Sequence, residues 1–174
     1  MTTPEDLKKY VRDVPDYPQK GIIFRDITPM LGERNIFREV VELMSRSWTS
    51  HPPDLVAAIE ARGFIPGSAM AVKLGAGFVP IRKTGKLPWT TVAESYELEY
   101  GTDQLEVHSD AVKSGRRVLI VDDVLATGGT ASAAVRLMRK LGADVIGVQV
   151  LIELDYLSGR ERLKDVKLQS EIHY

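Results

Sequence analysis

The sequence predicts an α/β fold with a mainly parallel central sheet flanked by helices. Val118–Val121 and Val145–Ile152 are largely apolar runs rich in β-branched residues, which is typical of strands buried on both faces. Between them, residues Thr130 to Leu141 repeat apolar side chains at helical spacing, and Gly142 follows as a helix cap. Strand, helix and strand within about 35 residues form a βαβ unit, which implies parallel strands and a right-handed crossover.

The upstream segments extend this alternation. In chain order we predict a short helix over residues 5–12, an amphipathic helix over Ile36–Trp48, a strand over Leu55–Ile59, a helix over Ser68–Leu74 and a strand over Phe78–Ile81. Residues 83–103 have no sustained period and are rich in Lys, Thr, Gly, Pro, Glu and Tyr. We expect a long mobile loop there, able to contain a hairpin, and such loops are often functional.

Composition narrows the class of protein. A chain of 174 residues predicts one domain spanning 1–174. It has no cysteine, which favours a cytoplasmic location and excludes disulfides and thiolate zinc sites. Lys and Arg total 23 against 24 for Asp and Glu, so no basic excess indicates a nucleic-acid partner. No apolar run approaches the ~20 residues of a membrane helix, and residues 1–13 do not resemble a signal peptide.

The residues after Val121 carry the clearest chemical signal. Asp122 and Asp123 come first, and the turn Ala126-Thr127-Gly128-Gly129-Thr130 then opens the predicted helix. Backbone N–H groups, two hydroxyls and the positive end of a helix suit a phosphate monoester, while the acids suit ribose hydroxyls or a water-bridged Mg²⁺. A sugar phosphate fits both halves. The alternative is an ordinary helix cap beside solvated acids, and the common ATP and dinucleotide motifs are absent.

At this point the sequence resembles a known family. VLIVDDVLATGGTA (118–131) is similar to the phosphoribosyl pyrophosphate (PRPP) motif of type I phosphoribosyltransferases. Four further strings resemble the adenine-specific branch: FRDITP (24–29), EARGF (60–64), RKTGKLP (82–88) and SYELEYG (95–101). The resemblance covers about residues 16–163 and implies the family's fold, with a small N-terminal hood over about 1–33, a core over about 34–174 and a mobile loop over about 83–103.

The resemblance also implies an activity and its participants. Adenine and PRPP would be converted to AMP and pyrophosphate with Mg²⁺ as cofactor, in a homodimer. Asp122 and Asp123 would hold the ribose hydroxyls, with Mg²⁺ held mainly by PRPP and by waters near these acids, and Ala126, Thr127, Gly128, Gly129 and Thr130 would hold the 5-phosphate. The residues implied for pyrophosphate are Arg62, Arg82, Lys83, Lys86 and Tyr100.

The base and the proton-transfer group are implied in the same way. Adenine would lie near Ile23, Phe24 and Arg25, and Glu99 would exchange a proton with its imidazole edge, with Arg62 assisting departure of pyrophosphate. Taken alone, Phe24 also fits core packing, and the cations of 82–86 also fit a solvated charge run. Pro66 departs from the family pattern, which has an aromatic residue there. Two alternatives stay open: another purine base, or a catalytically silent PRPP-sensing domain.

If the resemblance holds, Glu99→Leu lowers kcat and leaves PRPP binding nearly intact. The reason is that a shielded carboxylate used for proton transfer contributes about 10²–10⁴-fold to the rate and little to ground-state affinity. Steady-state kinetics with adenine, together with calorimetric titration of PRPP, check this. A wild-type kcat would remove Glu99 from the chemistry.

Overall fold

A computed structural model describes residues 3–97 and 101–174. Its centre is a seven-stranded sheet with the spatial order β5-β6-β4-β3-β7-β8-β9, and a separate two-stranded sheet pairs β1 with β2. The strands are β1 Arg12–Pro15, β2 Ile23–Asp26, β3 Leu55–Ile59, β4 Gly77–Lys83, β5 Thr91–Glu97, β6 Thr102–His108, β7 Arg117–Leu125, β8 Asp144–Glu153 and β9 Leu168–His173.

Five α-helices are described. They are α1 Pro4–Lys8, α2 Thr28–Gly32, α3 Arg34–Arg46, α4 Phe64–Leu74 and α5 Gly129–Lys140, and short 3₁₀ turns cover Asp155–Leu157 and Gly159–Leu163. None of the helices in the described part of the chain has both the length and the apolar character needed to cross a membrane.

The predicted α/β class and mainly parallel sheet are confirmed. Strands β3, β4, β7, β8 and β9 pair in parallel, while β5 and β6 form an antiparallel hairpin on the β4 edge. On β7, Val118 and Ile120 pack into the core shared with α5, whereas Leu119 and Val121 pack into the core shared with α3 and α4. Helices therefore cover both faces of the central strands, which explains their largely apolar runs.

The sequence placed several boundaries wrongly. Within the predicted loop of residues 83–103, the hairpin that the prediction allowed is present: residues 91–97 form β5, and β6 runs from 102 to 108, beyond the predicted end. Val92, Tyr96, Leu105 and Val107 alternate toward the core. The first helix ends at Lys8, before strand β1. Helix α4 begins at Phe64 rather than Ser68, since Pro66 lies in the first turn, where a missing N–H breaks no helical hydrogen bond.

Two features of the fold position the cavity between the sheets. Strand β7 continues to Leu125 and pairs with β8 as far as Glu153, so Asp122 and Asp123 lie within the strand rather than after it. The N-terminal sheet of β1 and β2 stands apart from the seven-stranded sheet, in the region where the sequence predicts a hood.

Candidate active site

A cavity of about 1090 Å³ lies between the N-terminal sheet and the ends of the central strands. This is the edge where open α/β sheets bind ligands. Ten of the residues singled out from the sequence line it: Ile23, Phe24, Arg25, Arg62, Lys83, Asp122, Asp123, Ala126, Thr127 and Thr130. The cavity therefore joins residues from four separate segments of the chain.

Two neighbouring carboxylates and a guanidinium occupy the middle of the cavity. Asp123 is only 5% exposed, and its N–H donates to Asp122 Oδ1 at 2.9 Å. Arg62 Nε lies 2.7 Å from Asp123 Oδ2, yet the two are not aligned as a hydrogen bond. Asp123 Oδ2 and one terminal nitrogen of Arg62 are consequently buried without a hydrogen-bond partner. Such groups are normally satisfied, so they mark positions where a polar ligand would bind.

Burial controls the protonation of the acid pair. Burial, followed by the charge of Asp123, raises the pKa of Asp122 well above its ordinary value. Burial also raises the pKa of Asp123, although the Arg62 charge opposes this. Two adjacent carboxylates in a dry site are costly, and hydroxyl donors or a hydrated cation would relieve that cost.

Arg62 also contacts the N-terminal sheet. Its guanidinium carbon lies 4.3 Å from the centre of the Phe24 ring, a cation–π contact. The edge of Tyr17 packs on the same ring, with 5.1 Å between ring centroids. Phe24 is thus a half-buried wall of the cavity rather than a core residue, which decides between the two interpretations of its sequence position.

Gly63 allows the loop after β3 to lie against β7. A Cβ there would stand 2.5 Å from the carbonyl oxygen of Ile59 and 2.7 Å from Asp122 Oδ1. No side chain fits, so a glycine beside Arg62 is needed to bring the guanidinium to the acids.

The turn after β7 has the geometry of an anion cradle. Gly128 caps helix α5 with φ +78°, and no side chain caps the helix's first N–H groups. Thr130 is the second residue of the helix, so the alternative in which it caps α5 is wrong. The free N–H groups and the helix dipole favour an anion at this end of the cavity. Gly128 and Gly129 shape the turn without lining the cavity.

The three cations of residues 82–86 separate into two groups. Arg82 Nε and Lys86 Nζ lie 2.7 and 2.6 Å from the Glu60 carboxylate, and neither residue lines the cavity. Burial raises the pKa of Glu60, but the hydrogen bonds from Lys86 and Arg82 outweigh it and leave the pKa lowered. Lys83 does line the cavity, and its Nζ lies 2.9 Å from Asp103.

Glu99 and Tyr100 lie outside the described residues. The flanking hairpin reaches the cavity through Tyr96 and Asp103, whose side chains meet at 3.2 Å in a hydrogen bond donated by the tyrosine hydroxyl. Sequence reasoning missed both as lining residues, although the alternation along the two strands would have revealed them. It also missed a group with no recognisable motif: Gln19, Gly21, Ile22, Leu154, Tyr156 and Leu157.

Comparison with known proteins gives a consistent result. The phosphoribosyl transferase domain family matches residues 30–172. The adenine phosphoribosyltransferase of Thermotoga petrophila is 57% identical over 169 residues, covering 97% of this chain and 99% of that protein. The one from Thermobifida fusca is 56% identical over 164 residues, covering 94% of this chain and 93% of that protein.

Solved structures agree. Adenine phosphoribosyltransferase from Thermoanaerobacter pseudethanolicus matches with a TM-score of 0.96 and 48% identity, covering 99% of this chain and all of that one (100%). The Saccharomyces cerevisiae enzyme, crystallised with an imino-altritol bisphosphate and adenine, matches with a TM-score of 0.91 and 35% identity, covering 97% of this chain and 98% of that one.

Asp122→Asn should stabilise the protein without ligand. Asparagine keeps an oxygen for the Asp123 N–H and removes the charge beside Asp123. Because the fold raises the pKa of Asp122 above 3.8, its ionisation costs stability as the pH rises past that value. The advantage of the variant should therefore be absent in acid and should grow as the pH rises above 3.8, and a midpoint increase of roughly 2–4 °C corresponds to about 1 kcal/mol.

Thermal unfolding at several pH values measures this effect. Asp110→Asn, which removes an exposed carboxylate, is the matched control and should not change the midpoint. An Asp122→Asn protein less stable than wild type at neutral pH would contradict the burial cost assigned to this acid.

Proposed function

Because this chain belongs to the adenine phosphoribosyltransferase family, we propose that its cavity is where the 5-phosphoribosyl group passes from PRPP to N9 of adenine, giving AMP and pyrophosphate. One observation carries the assignment of the site. The half-buried Asp122 and the buried Asp123 share one cavity with the Phe24 wall and with the anion cradle at Thr127 and Thr130, and Arg62 contacts both Phe24 and Asp123. A nucleotide has base, ribose and phosphate in that same order.

The 5-phosphate is assigned to the turn Ala126–Thr130. The first N–H groups of α5 supply donors, and Ala126, Thr127 and Thr130 of this turn line the cavity. The ribose hydroxyls are assigned to Asp122 and Asp123. Asp123 Oδ2, buried without a hydrogen-bond partner, is an acceptor suited to such a hydroxyl.

The base is assigned to the wall formed by Ile23, Phe24 and Arg25. The Phe24 ring supplies an apolar face for a purine, and the backbone of strand β2 supplies donors and acceptors for the base edge. The Saccharomyces cerevisiae relative binds adenine together with a bisphosphate, which supports one site for both ligands.

The departure of pyrophosphate creates the charges that the site must stabilise. As it leaves the anomeric carbon, positive oxocarbenium character develops, and N9 attacks from the opposite face. Arg62, with one terminal nitrogen buried and unpaired, is positioned to donate to the departing phosphate oxygens. The acids Asp122 and Asp123 would stabilise the cationic sugar, and Lys83 would add positive charge at the cavity wall.

Magnesium is proposed as the cofactor. The carboxylates of Asp122 and Asp123, which both line the cavity, are oxygen ligands of the kind this cation accepts, and they fit a hydrated ion held mainly by PRPP. When bound, it would neutralise charge on the pyrophosphate. Glu99 is proposed as the proton-transfer group, and Tyr100 as part of the cover over PRPP.

A homodimer and a cytoplasmic location complete the proposal. Arg82 and Lys86 do not line the cavity of their own chain, which supports a role at the pyrophosphate site of a neighbouring subunit. Glu60 holds both cations until phosphate oxygens compete for them. Cytoplasm is proposed because the substrates are polar metabolites of the cell interior.

A base-competition assay tests the activity. Adenine, hypoxanthine, guanine and xanthine are supplied together with PRPP and Mg²⁺, and the nucleotides formed are identified by mass. AMP should dominate. IMP, GMP or XMP as the main product would overturn the choice of base, and PRPP binding without any nucleotide product would favour the sensing domain.

The double variant Asp122→Asn with Asp123→Asn tests the ribose assignment. Losing both charged acceptors should weaken Mg²⁺-dependent PRPP binding by about tenfold or more, since hydrogen bonds to charged groups contribute about 1.5–3 kcal/mol each. Calorimetric titration measures the affinity. Asp110→Asn with Asp144→Asn removes two exposed carboxylates as the control. Equal affinity in the two double variants would mean that the motif has been misassigned.

A further inference from the structure

The segment after β8, residues 154–160, lines the cavity and contacts the anion cradle. We call it the bridging segment. Leu154, Tyr156 and Leu157 line the cavity. Two residues further on, a Cβ added to Gly159 would lie 2.1 Å from the carbonyl oxygen of Ala126, and one on Gly128 would lie 2.3 Å from that of Gly159. The bridging segment and the anion cradle are therefore in direct backbone contact.

A bidentate ion pair between Arg160 and Glu153 joins the end of the bridging segment to the end of β8. Glu153, the last residue of β8, is 4% exposed, and Arg160 Nε donates to its carboxylate at 2.9 Å. A second nitrogen of the same guanidinium and the hydroxyl of Ser170 on β9 also donate to that carboxylate. Arg160 and Glu153 thus tie the end of the segment to the residue before its start, in the rigid geometry of a paired fork.

The beginning of the segment is attached to the same strand. Asp155 Oδ1 lies 2.9 Å from His173 Nδ1, and His173 Nε2 lies 3.2 Å from Ser170 Oγ. Asp155 also donates its N–H to the carbonyl oxygen of Tyr174 at 2.9 Å. Both ends of the bridging segment are consequently held on β9 and its continuation, while Tyr156 and Leu157 in its middle line the cavity.

We propose that Glu153 and Arg160 are positioning residues that hold the bridging segment, so that Gly159 supports the phosphate cradle while Tyr156 and Leu157 bound the base end. The proposal rests on the proposed function, since it assigns phosphate and base to those two ends. Its consequence is a coupling between the substrates. Loosening the Arg160–Glu153 ion pair should weaken the binding of PRPP and the binding of adenine together, although Arg160 contacts neither substrate.

Arg160→Gln tests the coupling. The KM values for PRPP and adenine should both rise by roughly tenfold, the scale of losing a charge-assisted hydrogen bond, while kcat changes by less than about threefold. Arg160→Lys keeps the charge without the fork and should be intermediate. Arg139→Gln is the matched control, because Arg139 forms an exposed ion pair with Asp165 at 2.5 Å and should leave both KM values unchanged.

All kinetics are measured well below the melting temperature of every variant, so that a merely structural role would lower the midpoint without moving KM. Unchanged KM values in Arg160→Gln would overturn the proposal, and so would a rise in only one of them.

A methyl group at Gly159 tests the contact with the cradle independently. Gly159→Ala should weaken calorimetric binding of ribose 5-phosphate by tenfold or more, because the new Cβ pushes against the Ala126 carbonyl. Gly32→Ala adds the same methyl where nothing lies within 4 Å and should bind as wild type. Wild-type affinity in Gly159→Ala would overturn the proposal even if Arg160→Gln cannot be folded.

Different results would refute the proposed function and the positioning role of Arg160. A wild-type protein that makes no AMP would refute the proposed function. Wild-type turnover with Arg160→Gln indistinguishable from Arg139→Gln would refute only the positioning role.

Discussion

The structure of the site depends on a pair of adjacent carboxylates placed in the middle of the sheet. Asp122 and Asp123 lie on a strand covered by helices on both faces, where ionised groups lose their hydration. Arg62 offsets part of that cost, and it reaches the acids only because Gly63 leaves no side chain between its loop and β7. The remaining unpaired acceptor is one that a substrate can satisfy. Stability is given up at this position in exchange for affinity.

The other cations of the site are also held by acids. Glu60 binds Arg82 and Lys86, and Asp103 binds Lys83, so the cations that we propose for pyrophosphate are paired with neighbouring carboxylates. Phosphate oxygens would compete with these acids for the same donors. The Lys83–Asp103 pair is partly exposed and contributes about 0–1 kcal/mol, so a dianionic ligand can displace it at low cost. The Glu60 side chain is only 5% exposed, so removing both of its cations would leave a buried carboxylate unpaired at a higher cost.

Sequence reasoning was strongest where one short segment carries a complete local pattern. The βαβ unit and its phosphate-binding turn are contiguous in the chain, so periodicity and turn composition predicted both. It was weakest in residues 83–103, where it allowed a hairpin but placed neither strand, because these strands bury only alternate side chains against a core made by distant segments. The extent of β7 was underestimated for a related reason, since its final residues are held by pairing with β8.

By itself, the sequence determined the fold class, the glycine-rich turn that opens α5 and the pair of acids before it, because these depend on residues close together along the chain. Only the tertiary structure decided which groups share a cavity and which do not. It separated Lys83 from Arg82 and Lys86, set Arg62 between Phe24 and Asp123, and brought the 154–160 segment against Gly128. These placements depend on backbone approaches of a few ångströms between segments far apart in sequence. No local pattern encodes such an approach, since it follows from how the sheet and helices pack.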